Sequence, residues 1–177
     1  MHFEEAFIKL MDIEGGYVND PDDYGGETKY GITKGTARLA GYSGKMKDLT
    51  IEIAKEIYFK EFWKLYNYHL IEDRAIAIEM LDQAVHFGPT LANKHLQNAL
   101  NQFGEDIEID GIIGPITIES VNSFLRPSDL LLWINSLQYE RYMLIIKRDS
   151  TQWKYFKGWL KRVIPKVVQT CGLKLAR

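Results

Sequence analysis

Residues 3–33 read FEEAFIKLMDIEGGYVNDPDDYGGETKYGIT, a short amphipathic segment that runs into a loop dense in glycine and acid. Phe3, Phe7, Leu10, Met11 and Glu14 recur at helical spacing, which predicts a first helix with one apolar face. Gly15 and Gly16 then supply its stop, because glycine closes a helix without a steric penalty. From Tyr17 to about Gly35 the residues are mostly polar and include Pro21, Gly25, Gly26 and Gly31. That stretch is too long and irregular for a plain linker, has room for a short hairpin, and is the kind of ordered loop on which sites concentrate.

Outward from this stretch the chain reads as helical. A second helical region begins near Lys34, and Thr50 can cap a third, whose Ile53, Ile57, Phe62, Trp63 and Tyr66 predict a packed aromatic surface. Residues 72–87, EDRAIAIEMLDQAVHF, are the most apolar helical segment and predict a central core helix ended by Gly88-Pro89. Thr90 is placed to cap the next helix, in which Leu91, His95, Leu96, Ala99, Leu100 and Phe103 make one stripe up to Gly104. DGIIGPIT, residues 110–117, is a glycine-rich turn leading into another helix. Two more amphipathic helices follow, at about 128–147 and 153–170, parted by Asp149, Ser150 and Thr151. Few segments alternate as strands do and no internal repeat is present, so the expected class is mainly α with at most a small active-site loop or β-hairpin.

The composition narrows the functional classes. With 177 residues, 46% hydrophobic and 26% charged, the chain can bury a core without disulfides or a structural metal, which excludes intrinsic disorder as its main property. A formal charge of -2 gives no global positive field, so nucleic acid is not an expected partner. Cys171, the single cysteine, cannot form an internal disulfide and reads as a small semi-buried side chain. Glu4, Glu5, Lys9 and Asp12 interrupt the apolar positions of the N-terminus, so no signal peptide is recognisable. No run approaches the roughly 20 apolar residues of a membrane span, so stable membrane insertion is not expected. Synthesis in the cytoplasm is expected, and any substrate outside the membrane would be reached by assisted release. His2, His69, His86 and His95 lack metal-ligand spacing, and neither a metal nor a cofactor is expected.

Glu14 lies three residues after Met11 and four after Leu10, on the apolar side of its helix. A carboxyl at the edge of an apolar cleft favours its protonated form, the state that donates a proton to the leaving oxygen of a glycosidic bond. An exposed last-turn glutamate is the plain alternative. The loop offers Asp20, Asp22, Asp23, Glu27 and Thr28 as partners, and glycoside hydrolysis needs a carboxylate or a carboxylate-positioned water opposite the acid. Asp20 and Asp22 flank Pro21 and also suit simple turn hydrogen bonds. Glu79 and Asp82, three apart on the most apolar helix, read as an active-site floor or a buried structural network, with Asp82 able to brace the Glu14 region or His86.

The run EGGYVNDPDDYGGETKYGIT, residues 14–33, resembles the signature of the glycoside hydrolase 108 family, lysozyme-like N-acetylmuramidases also described as secretion activators and found among prophage or holin-associated genes. The resemblance extends over essentially the whole chain, through DQAVHFGP at residues 82–89 and a C-terminal section similar to the family's peptidoglycan-binding module. It implies a lysozyme-like helical fold with a catalytic region over residues 1–90 and a peptidoglycan-binding helical region over residues 91–177 packed against it. It also implies Glu14 as general acid. The loop is similar to the active-site hairpin of phage-type lysozymes, so Asp23 and Thr28 are the closest matches for the second group, with Asp22 and Glu27 as competitors. Tyr17, Asn19 and Tyr30 would line sugar subsites or pack as amphipathic side chains.

In the C-terminal section the resemblance rests on DGIIGPIT, where Gly111 and Gly114 suit special turn geometry, Pro115 can start a helix and Asp110 can accept backbone hydrogen bonds. Trp133, Tyr139 and Tyr142 read as core aromatics or glycan contacts. Trp153, Tyr155, Phe156 and Trp159 read as a cluster that closes the lysozyme lobe or offers a glycan platform. Lys154, Lys157, Lys161, Arg162, Lys166, Lys174 and Arg177 make the C-terminus basic, either to solubilise its helices or to attract an anionic envelope. The expected function is hydrolysis of the beta-1,4 bond after N-acetylmuramic acid in peptidoglycan, without cofactor, with a holin or secretion machinery as the expected release partner. A non-catalytic wall-binding or secretion-assisting protein and a lytic transglycosylase are the alternatives.

Overall fold

Helices begin where a short polar side chain can take up a free amide. In this computed structural model, which describes residues 2–13, 16–18 and 26–172 and all of their side chains but those of Ile13 and Gln169, three α-helices are capped in this way. Thr33 Oγ1 accepts from the Thr36 amide at 3.2 Å, Thr50 Oγ1 from Ile53 at 3.3 Å and Asp73 Oδ1 from Ile76 at 2.9 Å. They open α2 (Lys34–Leu39), α3 (Ile51–Tyr58) and α4 (Arg74–Phe87), which follow α1 (Phe3–Ile13). The start predicted at residue 72 is two residues early, because Asp73 stands outside the helix as its cap.

Two compact units make up the chain, Met1–Pro89 and Thr90–Arg177. In the first, α1 buries Phe3, Phe7 and Leu10 of the predicted face together with Ala6, while Met11 is half-buried. Phe3 meets Phe59 at 5.1 Å and Trp63 at 5.7 Å, and Phe7 meets Tyr58 at 6.1 Å, so an aromatic layer joins α1 to α3 and the turn beyond it. That turn, Phe59–Lys64, is π-helical: the Leu65 amide donates to the Lys60 carbonyl, five residues back, at 3.2 Å. The apolar pattern predicted a continuing helix and not this widening, since a π-turn changes the hydrogen-bond partner without changing which residues are apolar. Every residue of α4 from Ile76 to Ala84 is buried, and Arg74 ties its first turn to Glu5 of α1 at 3.0 Å.

Between α1 and α2 lies an antiparallel sheet of β1 (Tyr17–Val18), β2 (Thr28–Lys29) and β3 (Ile32–Thr33), in that order. Eight α-helices and this small sheet are the α and β structure of the described residues, the mainly α class that the sequence predicts.

The second unit is built on α5 (Pro89–Gln102), α6 (Pro115–Ser123), α7 (Pro127–Arg148) and α8 (Trp153–Thr170). The first three open on proline, which lacks an N–H that the first helical turn does not need. For that reason Thr90 falls inside the first turn of α5 and is not its cap. Asp149 joins α7 to α8 by accepting from the Thr151 amide at 2.9 Å and hydroxyl at 2.6 Å. Leu96, Ala99, Leu100, Leu130, Ile134 and Val163 form the core of this unit, and Tyr142 stacks on Trp159 at 5.0 Å. Trp153 and Tyr155 are exposed, so these two members of the C-terminal aromatic cluster do not close a lobe. Cys171 is likewise exposed and not semi-buried, because α8 ends one residue before it. No helix among the described residues is long and apolar enough to cross a membrane.

Candidate functional site

The hairpin that follows α1 is set by its cross-strand partners. Val18 pairs with Thr28 and Thr28 with Thr33, which places these three side chains on one face, while Tyr17, Lys29 and buried Ile32 share the other. The β2–β3 loop is only Tyr30-Gly31, with φ of 51° and 74°. Two positive φ values in a two-residue loop mark the turn whose twist matches that of its strands. Gly31 takes this conformation without cost, whereas Tyr30 is a bulky residue in a region that L side chains rarely occupy.

Lys29 Nζ donates to the Lys47 carbonyl at 2.5 Å, and bonds of Glu27 and Tyr58 also hold the hairpin. Glu27 accepts from the Tyr17 hydroxyl at 3.0 Å and from Lys34 Nζ at 3.1 Å, and its carbonyl accepts from the Lys34 amide at 2.9 Å. Lys34 and Tyr17 hold the Glu27 carboxyl below the usual glutamate range, so it stays ionised. At the turn, the fully buried Tyr58 donates its hydroxyl to the Tyr30 carbonyl at 2.8 Å. The Tyr58 ring also packs on Phe7, so one side chain of α3 touches both α1 and the hairpin. Nothing in the sequence pattern singles Tyr58 out, because its partner lies 28 residues away.

Thr28 Oγ1 donates to the Gly26 carbonyl at 3.0 Å, which commits its proton and leaves its lone pairs to accept. Tyr17 is exposed, and Thr28 and Tyr30 are half-buried. Glu14, Asn19, Asp22 and Asp23, with Asp20 and Gly25, lie outside the described residues. On α4, Glu79 is 1% exposed and Asp82 6% exposed. Buried Gln83 donates to Glu79 Oε1 at 2.8 Å, so the buried polar group on α4 includes an amide that carboxylate spacing alone does not reveal. Its spacing of four residues from Glu79 is the signal that could have found it. Among the described residues, no three His, Cys, Asp or Glu side chains converge as a metal-ligand set.

In the second unit the DGIIGPIT turn is read by side chains of α5. Asn93 Nδ2 donates to the Gly111 carbonyl at 2.9 Å, and the Gly111 amide donates to Gln97 Oε1 at 2.8 Å. Gln97 Nε2 in turn reaches Asp110 Oδ1 at 2.7 Å and the Ile112 carbonyl at 3.1 Å, while the Ile112 amide donates to Asp110 at 2.7 Å. These bonds hold the Asp110 carboxyl below the ordinary aspartate range, the Gln97 amide foremost. The turn is therefore an architectural device that leaves Ile112 and Ile116 exposed. Trp133 packs edge-on to Phe103 at 6.1 Å and donates to Asn98 at 3.2 Å; Tyr142 is buried and Tyr139 exposed.

Two families match the chain, and they divide it as these two sites do. Residues 7–88 match the family described as Glycosyl hydrolase 108, and residues 91–164 match the one described as Predicted Peptidoglycan domain. The N-terminal part of the chain is a glycoside hydrolase 108 region. The chain is similar to the solved structure of Brucella abortus SagA, at 27% identity and a TM-score of 0.75 over 97% of this chain and 94% of that one. No curated protein matches it at a significant level. The hairpin and α4 thus lie in the hydrolase part and the Gly111 turn in the peptidoglycan part. The protein is a peptidoglycan-related glycoside hydrolase with a lysozyme-like, mainly α fold.

Proposed function

We propose that this protein is an N-acetylmuramidase that hydrolyses the beta-1,4 bond after N-acetylmuramic acid, with Glu14 as general acid. One observation carries the reading: the EGGY run leads into a hairpin that Tyr58 fastens to the same helix layer as α1, the helix that Glu14 follows by one residue. Protonated Glu14 gives its proton to the glycosidic oxygen as the bond to the anomeric carbon breaks. A water oxygen bonds to that carbon, and its proton passes to Asp23. Thr28 supports this water as an acceptor, since its own proton is engaged by Gly26. Glu27, held ionised by Lys34 and Tyr17, acts as the clasp of the hairpin and not as the acid. Tyr17, Asn19 and Tyr30 contact the sugars. The constrained backbone of Tyr30 supports that assignment, because strain of this kind collects at functional sites.

The test is digestion of purified peptidoglycan followed by mass analysis of the new ends. Reducing N-acetylmuramic acid is expected, and the folded Glu14→Gln protein is expected to lose at least about a hundredfold in rate, the scale of general acid catalysis. Anhydro ends would assign a transglycosylase instead, absence of cleavage would leave a wall-binding protein, and full activity of the variant would remove Glu14 from the mechanism.

A further inference from the structure

The chain's charge is strongly segregated. Residues 141–177 hold ten of the 22 Lys and Arg but only Asp149 of the 24 Asp and Glu, leaving twelve basic against 23 acidic side chains in residues 1–140. Helix α8 carries Lys154, Lys157, Lys161, Arg162 and Lys166 and no acid. Asp149 is occupied by Thr151 and Gln152.

Helical geometry gathers part of this charge on one side. At about 100° per residue, Trp153, Ile164, Lys157, Lys161 and Lys154 follow one another within a sector of about 100°. All five are exposed, Trp153 to 59% and Ile164 to 41%. Arg162 and Val163 lie outside that sector and are buried, and Trp159 stacks on Tyr142 of α7, which fixes how α8 is turned. Among the described residues no ion pair within 4 Å engages Lys154, Lys157 or Lys161, although the Lys154 charge helps to lower the Asp149 pKa. One face of the Trp153 ring is covered by Phe156 at 4.8 Å, and the Lys154 ammonium lies 4.8 Å from the centre of the Tyr155 ring.

We propose that this face of α8 docks the protein on the surface of an anionic phospholipid bilayer. Three lysines in one stripe complement a layer of lipid phosphates, and the exposed Trp153 indole and exposed Ile164 at the two ends of that stripe suit the headgroup boundary, where amphipathic rings are favoured. A sugar platform would instead present open ring faces, and here those of Trp153 and Tyr155 are partly taken. The helix lies on the bilayer without crossing it. This docking is separate from wall cleavage and needs none of the residues assigned to it.

Sedimentation of the full chain with phosphatidylcholine vesicles, with and without about a third phosphatidylglycerol, tests the proposal. Binding to the anionic vesicles alone is expected, weakening as salt is added. Each lysine near such a surface strengthens association roughly fivefold, so changing Lys154, Lys157 and Lys161 together to Gln is expected to lower partitioning on the order of a hundredfold. Changing all three to Arg retains it, and Trp153→Ala weakens it at unchanged charge. An unchanged melting temperature shows that the variants are folded. The proposal is overturned if the parent does not sediment with anionic vesicles, if the Gln variant sediments equally well, or if the Gln variant loses binding only to wall sacculi. Cleavage of sacculi by the same preparations is read separately, so a protein that cuts wall but ignores vesicles sinks this proposal alone.

Discussion

A methyl group on Gly111 would crowd Thr90. The φ of Gly111 is +84°, and a Cβ there would stand 3.0 Å from both the carbonyl oxygen and the Cγ2 of Thr90. Gly111→Ala is therefore expected to cost about 1–3 kcal/mol, combining the left-handed penalty with a clash against backbone. Chemical denaturation measures that loss, and wall binding should weaken with it if the turn presents Ile112 and Ile116 to peptidoglycan; an unchanged midpoint would contradict the strain. At this scale Asp110, Gly111 and Pro115 were legible, because turn residues carry their conformational reason with them. Asn93 and Gln97 were not. A buried amide that bonds a turn 14 or 18 residues away leaves no periodic trace, and in α5 both look like ordinary polar positions.

One distant hydroxyl fastens the turn of the hairpin. Tyr58→Phe keeps the ring against Phe7 and removes only the bond to the Tyr30 carbonyl. Stability is expected to fall by about 1 kcal/mol. Turnover of peptidoglycan is expected to fall more, roughly tenfold, because misplacement of a positioning element is magnified in rate. Parallel melting and cleavage assays separate the two, and an equal rate would show that the hairpin is held by its other contacts, those of Glu27 with Tyr17 and Lys34 and of Lys29 with the Lys47 carbonyl. The helices were legible from their caps and apolar spacing: Thr50 caps α3 and Pro115 opens α6 as predicted, and α7 and α8 fall within a few residues of their expected bounds. The π-turn at Phe59–Lys64 was hidden because its apolar residues serve either helix type.

Across the whole molecule, charge and burial set the response to pH. His95 is buried, and desolvation first and the Arg141 charge second lower its pKa to about 4. An unfolded histidine titrates near 6.5, so between about pH 6.5 and 4 the unfolded chain binds a proton that the folded one refuses. Stability therefore falls as pH drops through that window, by on the order of 2–3 kcal/mol in total. Denaturation at pH 7, 5.5 and 4 should trace this fall, and His95→Gln should flatten it; the same slope in the variant would place the linkage elsewhere. Composition suggested a featureless charge of -2, and residue order was needed to see that it sums two opposed regions. The acid-free α8 has a consequence for what the isoelectric point means here. At its sequence value of about 6.1 the molecule is neutral only by cancellation, a zwitterion on the scale of whole segments, with one copy's basic helix complementary to another's acidic surface.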